Sequence, residues 1–144
     1  MKTIKHVLDN KGDRIHSVAP AATVYEALEK MAKEGIGALA VLEGEELVGI
    51  VSERDYARKI VLAGRLSSDT PVRDIMTKNV ICVSSESRVD ASMSIMSEKR
   101  VRHLVVRDDG KINGLISIGD VVKAIIDDQQ FTIEQLEHYI SGRG

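Results

Sequence analysis

Displaced against itself by 65 residues, the chain aligns 15–61 with 80–126 without a gap. Nine aligned positions are identical: Val18/Val83, Val24/Val89, Met31/Met96, Leu39/Leu104, Val41/Val106, Gly49/Gly114, Ser52/Ser117, Asp55/Asp120 and Ile60/Ile125. Apolar character is kept beyond the identities, at Ile15/Val80, Leu28/Met93, Ile36/Val101, Leu47/Ile112, Ile50/Leu115 and Val51/Ile116. Both copies therefore share one burial pattern, and the fold must contain the same unit twice. Chance likeness between two helix-and-strand stretches would not also hold a Gly, a Ser and an Asp at constant spacing. Two copies are too few for a solenoid, so the repeat predicts a closed pair related by a pseudo-twofold axis.

Within the first copy, Val24, Ala27, Leu28, Met31 and Ala32 recur at helical spacing and paint one face of a helix; Val89, Met93 and Met96 repeat the stripe. Ala38 to Leu42 and Leu47 to Val51 are short apolar runs around Glu43-Gly44-Glu45-Glu46, a hairpin signal. His103 to Val106 and Ile112 to Ser117 flank Asp108-Asp109-Gly110-Lys111 in the same way. With a lead-in strand near 15–18 or 80–83 and a closing helix at 56–61 or 121–126, each copy reads βαββα, an α/β fold. Arg65 to Pro71 has connector character, and Thr132-Ile133-Glu134-Gln135 reads as the start of a short C-terminal helix with Thr132 as its N-cap. The expected organisation is 1–70 for the first motif with its lead-in and linker, 71–130 for the second, and 131–144 for a tail. Phe131 and Tyr139 suit that tail to docking, on its own module or on another subunit.

The 144 residues allow a core without staples. Lys plus Arg number 20 against 22 Asp plus Glu, a formal charge of −2, which argues against a partner whose phosphates must be neutralised, such as nucleic acid. No apolar run of signal-peptide or membrane-spanning length follows the basic start, so no membrane role is expected. The single cysteine, Cys82, offers no internal disulfide and suits a reducing compartment, with the cytoplasm as the expected address. Its apolar neighbours Ile81 and Val83 predict a buried, inert thiol. Gly-x-Ser-x-Gly, His-Glu-x-x-His, Cys-x-x-Cys and phosphate-loop motifs are all missing, and His6, His16, His103 and His138 lack metal-type spacing. No catalytic residue or metal ligand is predicted.

The repeated string that could carry chemistry is Gly49-Ile50-Val51-Ser52-Glu53-Arg54-Asp55, matched by Gly114-Leu115-Ile116-Ser117-Ile118-Gly119-Asp120. Each joins the last strand to the last helix, where free N–H groups and the helix dipole favour negative charge. An ionised Asp can accept from two vicinal hydroxyls, and Ser can donate to or accept from a phosphate or sugar oxygen, so ribose is a natural match. Ser-x-x-Asp is equally a capping box, and the two readings stand level on these residues alone. Lys99, Arg100, Arg102 and His103 crowd the entrance to the second hairpin, where cations could meet a phosphate. Strict strand alternation would put Arg102 and His103 on opposite faces, so joint contact needs a bend there.

Val72-Arg73-Asp74-Ile75-Met76-Thr77, Arg102-His103-Leu104-Val105-Val106 and the two Gly-x-x-Ser-x-x-Asp ends, in this order and spacing, resemble cystathionine-β-synthase-type (CBS) motifs. The pair resembles the two-motif unit called a Bateman module, over about 7–127. The resemblance implies paired βαββα motifs with clefts that take an adenosine compound: AMP, ADP, ATP, NAD(H) or S-adenosylmethionine. It implies one set of ligand contacts from Ser117, Asp120, Arg102 and His103 with His16, Ile36 and Gly37. A second set would be Ser52, Asp55 and Arg54 with Thr77, Ile81 and Val101. In each, Asp and Ser serve ribose and phosphate while the strand residues frame adenine. It further implies homodimers and output through self-association or a separate regulated protein. The competing expectation is a scaffold that kept the fold without a ligand.

Overall fold

The computed structural model describes residues 2–12 and 15–142. Its strands and helices follow the 65-residue offset. The first copy contains β1 (Ser17–Val18), α2 (Val24–Glu34), β2 (Ala38–Glu43), β3 (Glu46–Ser52) and α3 (Glu53–Tyr56), which widens into a π-helical stretch at Ala57–Val61; α1 (Ile4–Lys11) precedes it. The second copy contains β4 (Cys82–Val83), α4 (Val89–Lys99), β5 (His103–Asp108), β6 (Lys111–Ser117) and α5 (Ile118–Ile140). Two three-stranded mixed sheets result, ordered β1-β2-β3 and β4-β5-β6, each with one parallel and one antiparallel pairing. Both hairpins carry a register irregularity at the same repeat position, Val41/Leu42 and Val106/Arg107.

Local chemistry explains the element ends. Thr23 caps α2 by accepting from the Glu26 amide, and Gly35 ends that helix in the left-handed region at φ 67°. The equivalent end of α4 falls on Arg100, a non-glycine residue forced to φ 56° by the same cap. The chain bends at Arg102 just before β5.

The described residues divide into two compact units. One comprises 15–81; the other comprises 2–12 with 82–142. The first is held by Val24, Ala27, Met31, Leu39, Val41, Val51, Ile60, Val72 and Ile75. The second buries Ile4, Val7, Leu8, Val89, Met96, Leu104, Val106, Ile116 and Val121. Helix α1 thus joins the second copy, although it precedes the first in sequence. The helix packs close on β6: a Cβ on Gly114 would stand 2.6 Å from Leu8 Cδ2, the end of a side chain that would have to shift. In the first unit Gly49 does the same for the segment after the linker, where a Cβ would stand 2.8 Å from Met76 Sδ and 2.9 Å from the Thr77 carbonyl.

Two expectations are corrected. No helix begins at Thr132: α5 is continuous over Ile118–Ile140, with no Gly or Pro after Gly119 in its first turn to interrupt it, and the Thr132 hydroxyl donates to the Asp128 carbonyl one turn back. Cys82 is exposed, not buried: β4 turns Val83 inward, so alternation turns Cys82 outward despite its apolar neighbours.

Candidate ribose and phosphate corners

Both Ser-x-x-Asp strings form capping boxes at the entrance to a helix. In the second unit the Ser117 amide donates to Asp120 Oδ2 at 2.8 Å, and Ser117 Oγ accepts from the Asp120 amide at 3.1 Å. In the first unit the Ser52 amide donates to Asp55 Oδ2 at 3.0 Å, and Ser52 Oγ accepts from the Asp55 amide at 3.2 Å. The preceding loop closes each corner through main chain: the Glu53 amide donates to the Gly37 carbonyl at 3.0 Å, and the Ile118 amide to the Arg102 carbonyl at 2.8 Å.

Each carboxylate also meets a lysine, supplied from unrelated positions. Lys59 reaches Asp55 Oδ1 at 3.0 Å from one turn along the same helix, and also donates to the Ile75 carbonyl at 2.8 Å. The aligned residue of the second copy is Ala124, so that route is missing there. Instead Lys11 of α1 donates to Asp120 Oδ2 at 2.7 Å and to the Leu115 carbonyl at 2.9 Å. Spacing along one helix could have pointed to Lys59; Lys11 lies outside the repeat frame and left no signal in the sequence.

The corners differ in spare hydrogen-bonding capacity. Asp55 is 8% exposed and takes four donors: the Ser52 amide and hydroxyl on Oδ2, and Thr77 Oγ1 and Lys59 on Oδ1. A carboxylate offers about four lone-pair sites, so it is saturated. The Asp120 side chain is 25% exposed, and two donors, Lys11 and the Ser117 amide, meet its Oδ2. Burial raises the pKa of Asp120, but the Lys11 hydrogen bond and charge and the Ser117 amide outweigh it and hold the carboxyl below its ordinary value. It stays an anionic acceptor.

The remaining predicted residues fall as follows. Ser117 is half-buried, and His103 stands opposite it in the β5–β6 ladder; Arg102 is exposed at the bend. Val101, half-buried, donates its amide to the Met96 carbonyl in the α4 cap. In the first unit, Ile36 donates equivalently to the Met31 carbonyl, Arg54 is exposed, and Ile81 is half-buried. His16 Nε2 lies 3.8 Å from Glu34 Oε2, and its carbonyl accepts from the Ala40 amide at 3.1 Å. Thus the structure joins Thr77 with Asp55 and Ser52, and Lys11 with Asp120 and Ser117. A cavity of about 140 Å³ beside Asp120 is lined by Val7, Asn10, Lys11, Lys123, Ala124 and Asp127. That is below the roughly 300 Å³ of ordinary ligand pockets. Among the described residues, no cluster of His, Cys, Asp or Glu is placed to hold a metal, and no helix is long and apolar enough to cross a membrane.

The family model described as "CBS domain" matches residues 7–62 and again 72–127. The CBS domain-containing protein CBSX3, mitochondrial, of Arabidopsis thaliana is 43% identical over 126 residues, covering 83% of this chain and 61% of its own length. A solved CBS-domain protein from Burkholderia ambifaria MC40-6 is 49% identical with a TM-score of 0.85, covering 92% of this chain and 99% of that one. The CBS domain protein PAE2072 from Pyrobaculum aerophilum, solved complexed with AMP, is 28% identical with a TM-score of 0.71, covering 82% of this chain and 88% of that one. With two family matches spanning most of its length, this chain belongs to the CBS domain family.

Proposed function

We propose that this chain is a regulatory module that binds an adenosine compound, AMP, ADP, ATP, NAD(H) or S-adenosylmethionine, with the ribose held at the Asp120 corner. The observation that carries the reading is the part-exposed, ionised carboxylate of Asp120 beside Ser117. The Ser117 hydroxyl accepts from the Asp120 amide and, as a hydroxyl, can both donate and accept. Lys11 and Arg102 bring positive charge to the same unit's entrance, where the first turn of α5 adds its dipole. The saturated Asp55 acts as the structural counterpart, with Ser52 and Thr77 holding the corner closed and Arg54 free to meet a second ligand's phosphate. His16, Ile36, Gly37, Thr77, Ile81 and Val101, all outside the strands, supply main chain for adenine. A relative bound to AMP supports the ligand class. Output runs through the chain's own association or a separate protein, without catalysis by this module.

A sensor must release its ligand, so micromolar-class binding is expected, on the order of −8 kcal/mol. Calorimetry across the five compounds tests this, and 2′-deoxy analogues should bind worse than their parents. Equal affinity for the deoxy forms removes Asp120 from sugar recognition. No heat from any compound favours a second reading, a ligand-free scaffold, whose supporting observation is that both aspartates already cap their helices.

A further inference from the structure

Resting on the ribose reading of the Asp120 corner, we infer that Lys11 makes this corner select adenosine compounds with a phosphate on the 5′ carbon over S-adenosylmethionine, which carries a sulfonium there. The two corners are clipped at equivalent points by different chemistry. In the first unit the Thr77 amide donates to the Ile50 carbonyl at 2.8 Å and Thr77 Oγ1 donates to Asp55 Oδ1 at 3.2 Å, so one neutral residue ties β3 to the aspartate. The aligned acceptors of the second unit are the Leu115 carbonyl and Asp120. There a single ammonium, Lys11 Nζ, reaches both, at 2.9 and 2.7 Å. The same 65-residue offset places Met76 opposite Lys11, so the first copy has a thioether and a hydroxyl where the second has a cation. An ammonium carries three donors, and holding two acceptors does not exhaust it.

Neighbouring positions widen the contrast. The Gly37 carbonyl accepts from the Glu53 amide, and at the aligned place the Arg102 carbonyl accepts from the Ile118 amide. A Cβ on Gly37 would stand 2.8 Å from Glu53 Oε1, so a second carboxylate lies over the main chain of the first corner. That corner sets Glu53 and Asp55 against Arg54 and Lys59, a balance; the other sets Asp120 against Lys11 and Arg102, a surplus of positive charge. The Lys11 and Asp120 side chains are 32% and 25% exposed, and salt screens such half-buried charges less than surface ones. A ribose on Asp120 carries its 5′ substituent into this field. Phosphate is attracted there and a sulfonium is repelled.

Calorimetry with AMP, adenosine and S-adenosylmethionine on the full chain tests the selection. The parent should bind AMP about tenfold or more tighter than adenosine, by a margin that narrows as salt rises, and should bind S-adenosylmethionine more weakly than adenosine. Lys11→Met keeps the aliphatic stem; it should close most of the margin, hold adenosine within about twofold and tighten S-adenosylmethionine. Lys11→Arg should preserve the parent's order. Lys5→Met removes the same charge from an exposed position of α1 and should change nothing. A parent that binds AMP and adenosine alike or prefers S-adenosylmethionine, or a Lys11→Met that loses AMP and adenosine equally, overturns the selection and leaves the ribose reading standing. If neither AMP nor adenosine binds, or Asp120→Asn binds adenosine as the parent does, the ribose reading itself fails and the selection falls with it.

Discussion

Replacing each corner aspartate by asparagine should separate folding from binding. Asp55→Asn removes an anion that accepts from the Ser52 amide, Ser52 Oγ, Thr77 Oγ1 and Lys59 at 3.0 to 3.2 Å in a residue only 8% exposed. The asparagine oxygen serves two of these donors, while its amide group points at the others. Hydrogen bonds to a charged group contribute about 1.5–3 kcal/mol. Lys59 is 43% exposed at its side chain, so its ion pair adds little. A loss of about 2–3 kcal/mol follows, worth roughly 6–10 °C in a chain of this size. Asp120→Asn gives up two donors, Lys11 and the Ser117 amide, in a side chain 25% exposed. It should cost about 1 kcal/mol. Affinity should run the other way: Asp120→Asn should weaken the adenosine ligand by about tenfold or more, and Asp55→Asn should leave it within about twofold. Urea unfolding and calorimetry on the two variants supply both numbers. If Asp120→Asn binds as the parent does, or Asp55→Asn abolishes binding while unfolding normally, the lone-pair argument fails.

Three further outcomes follow from the same geometry. Asp108 accepts from the Ser85 amide at 3.0 Å, Ser84 Oγ at 3.0 Å and Asn113 Nδ2 at 2.6 Å, and these bonds, led by the Ser85 amide, lower its pKa to about 2. Since that lies below the unfolded value of 3.8, the carboxylate stabilises the fold above about pH 4 and loses that contribution as pH falls towards 2. The urea-midpoint gap between parent and Asp108→Asn should shrink over that window, and a constant gap would contradict it. Gly49→Ala should cost about 1–3 kcal/mol, because its Cβ meets the Thr77 carbonyl, which the Ile50 amide pins at 3.0 Å. Gly114→Ala meets only the end of the Leu8 side chain and should cost less; unfolding free energies in the opposite order would refute the assignment. Ser92 is fully buried in α4 with no hydrogen-bond partner for its hydroxyl among the described residues, and its aligned residue is Ala27. Ser92→Ala should therefore stabilise by about 1 kcal/mol, read as a raised melting temperature.

The repeat alone determined the element plan, because strand and helix identity here follow from local periodicity, and a gapless offset carries each boundary from one copy to the other. Even the cap at Arg100 follows, since its counterpart is Gly35. The paired Ser-x-x-Asp corners were legible for the same reason: their geometry is made within four consecutive residues. Only the tertiary structure decided which cation each aspartate meets. Lys59 and Asp55 are one helical turn apart, whereas Lys11 and Asp120 are separated by 109 residues, and no periodicity reports a contact across that length. It also decided that α5 runs on past Thr132 and that Cys82 faces outward. A hydroxyl can cap a helix or bond back one turn, and a two-residue strand can present either side. Burial and the surrounding backbone settle such choices, and neither is written in the order of the residues.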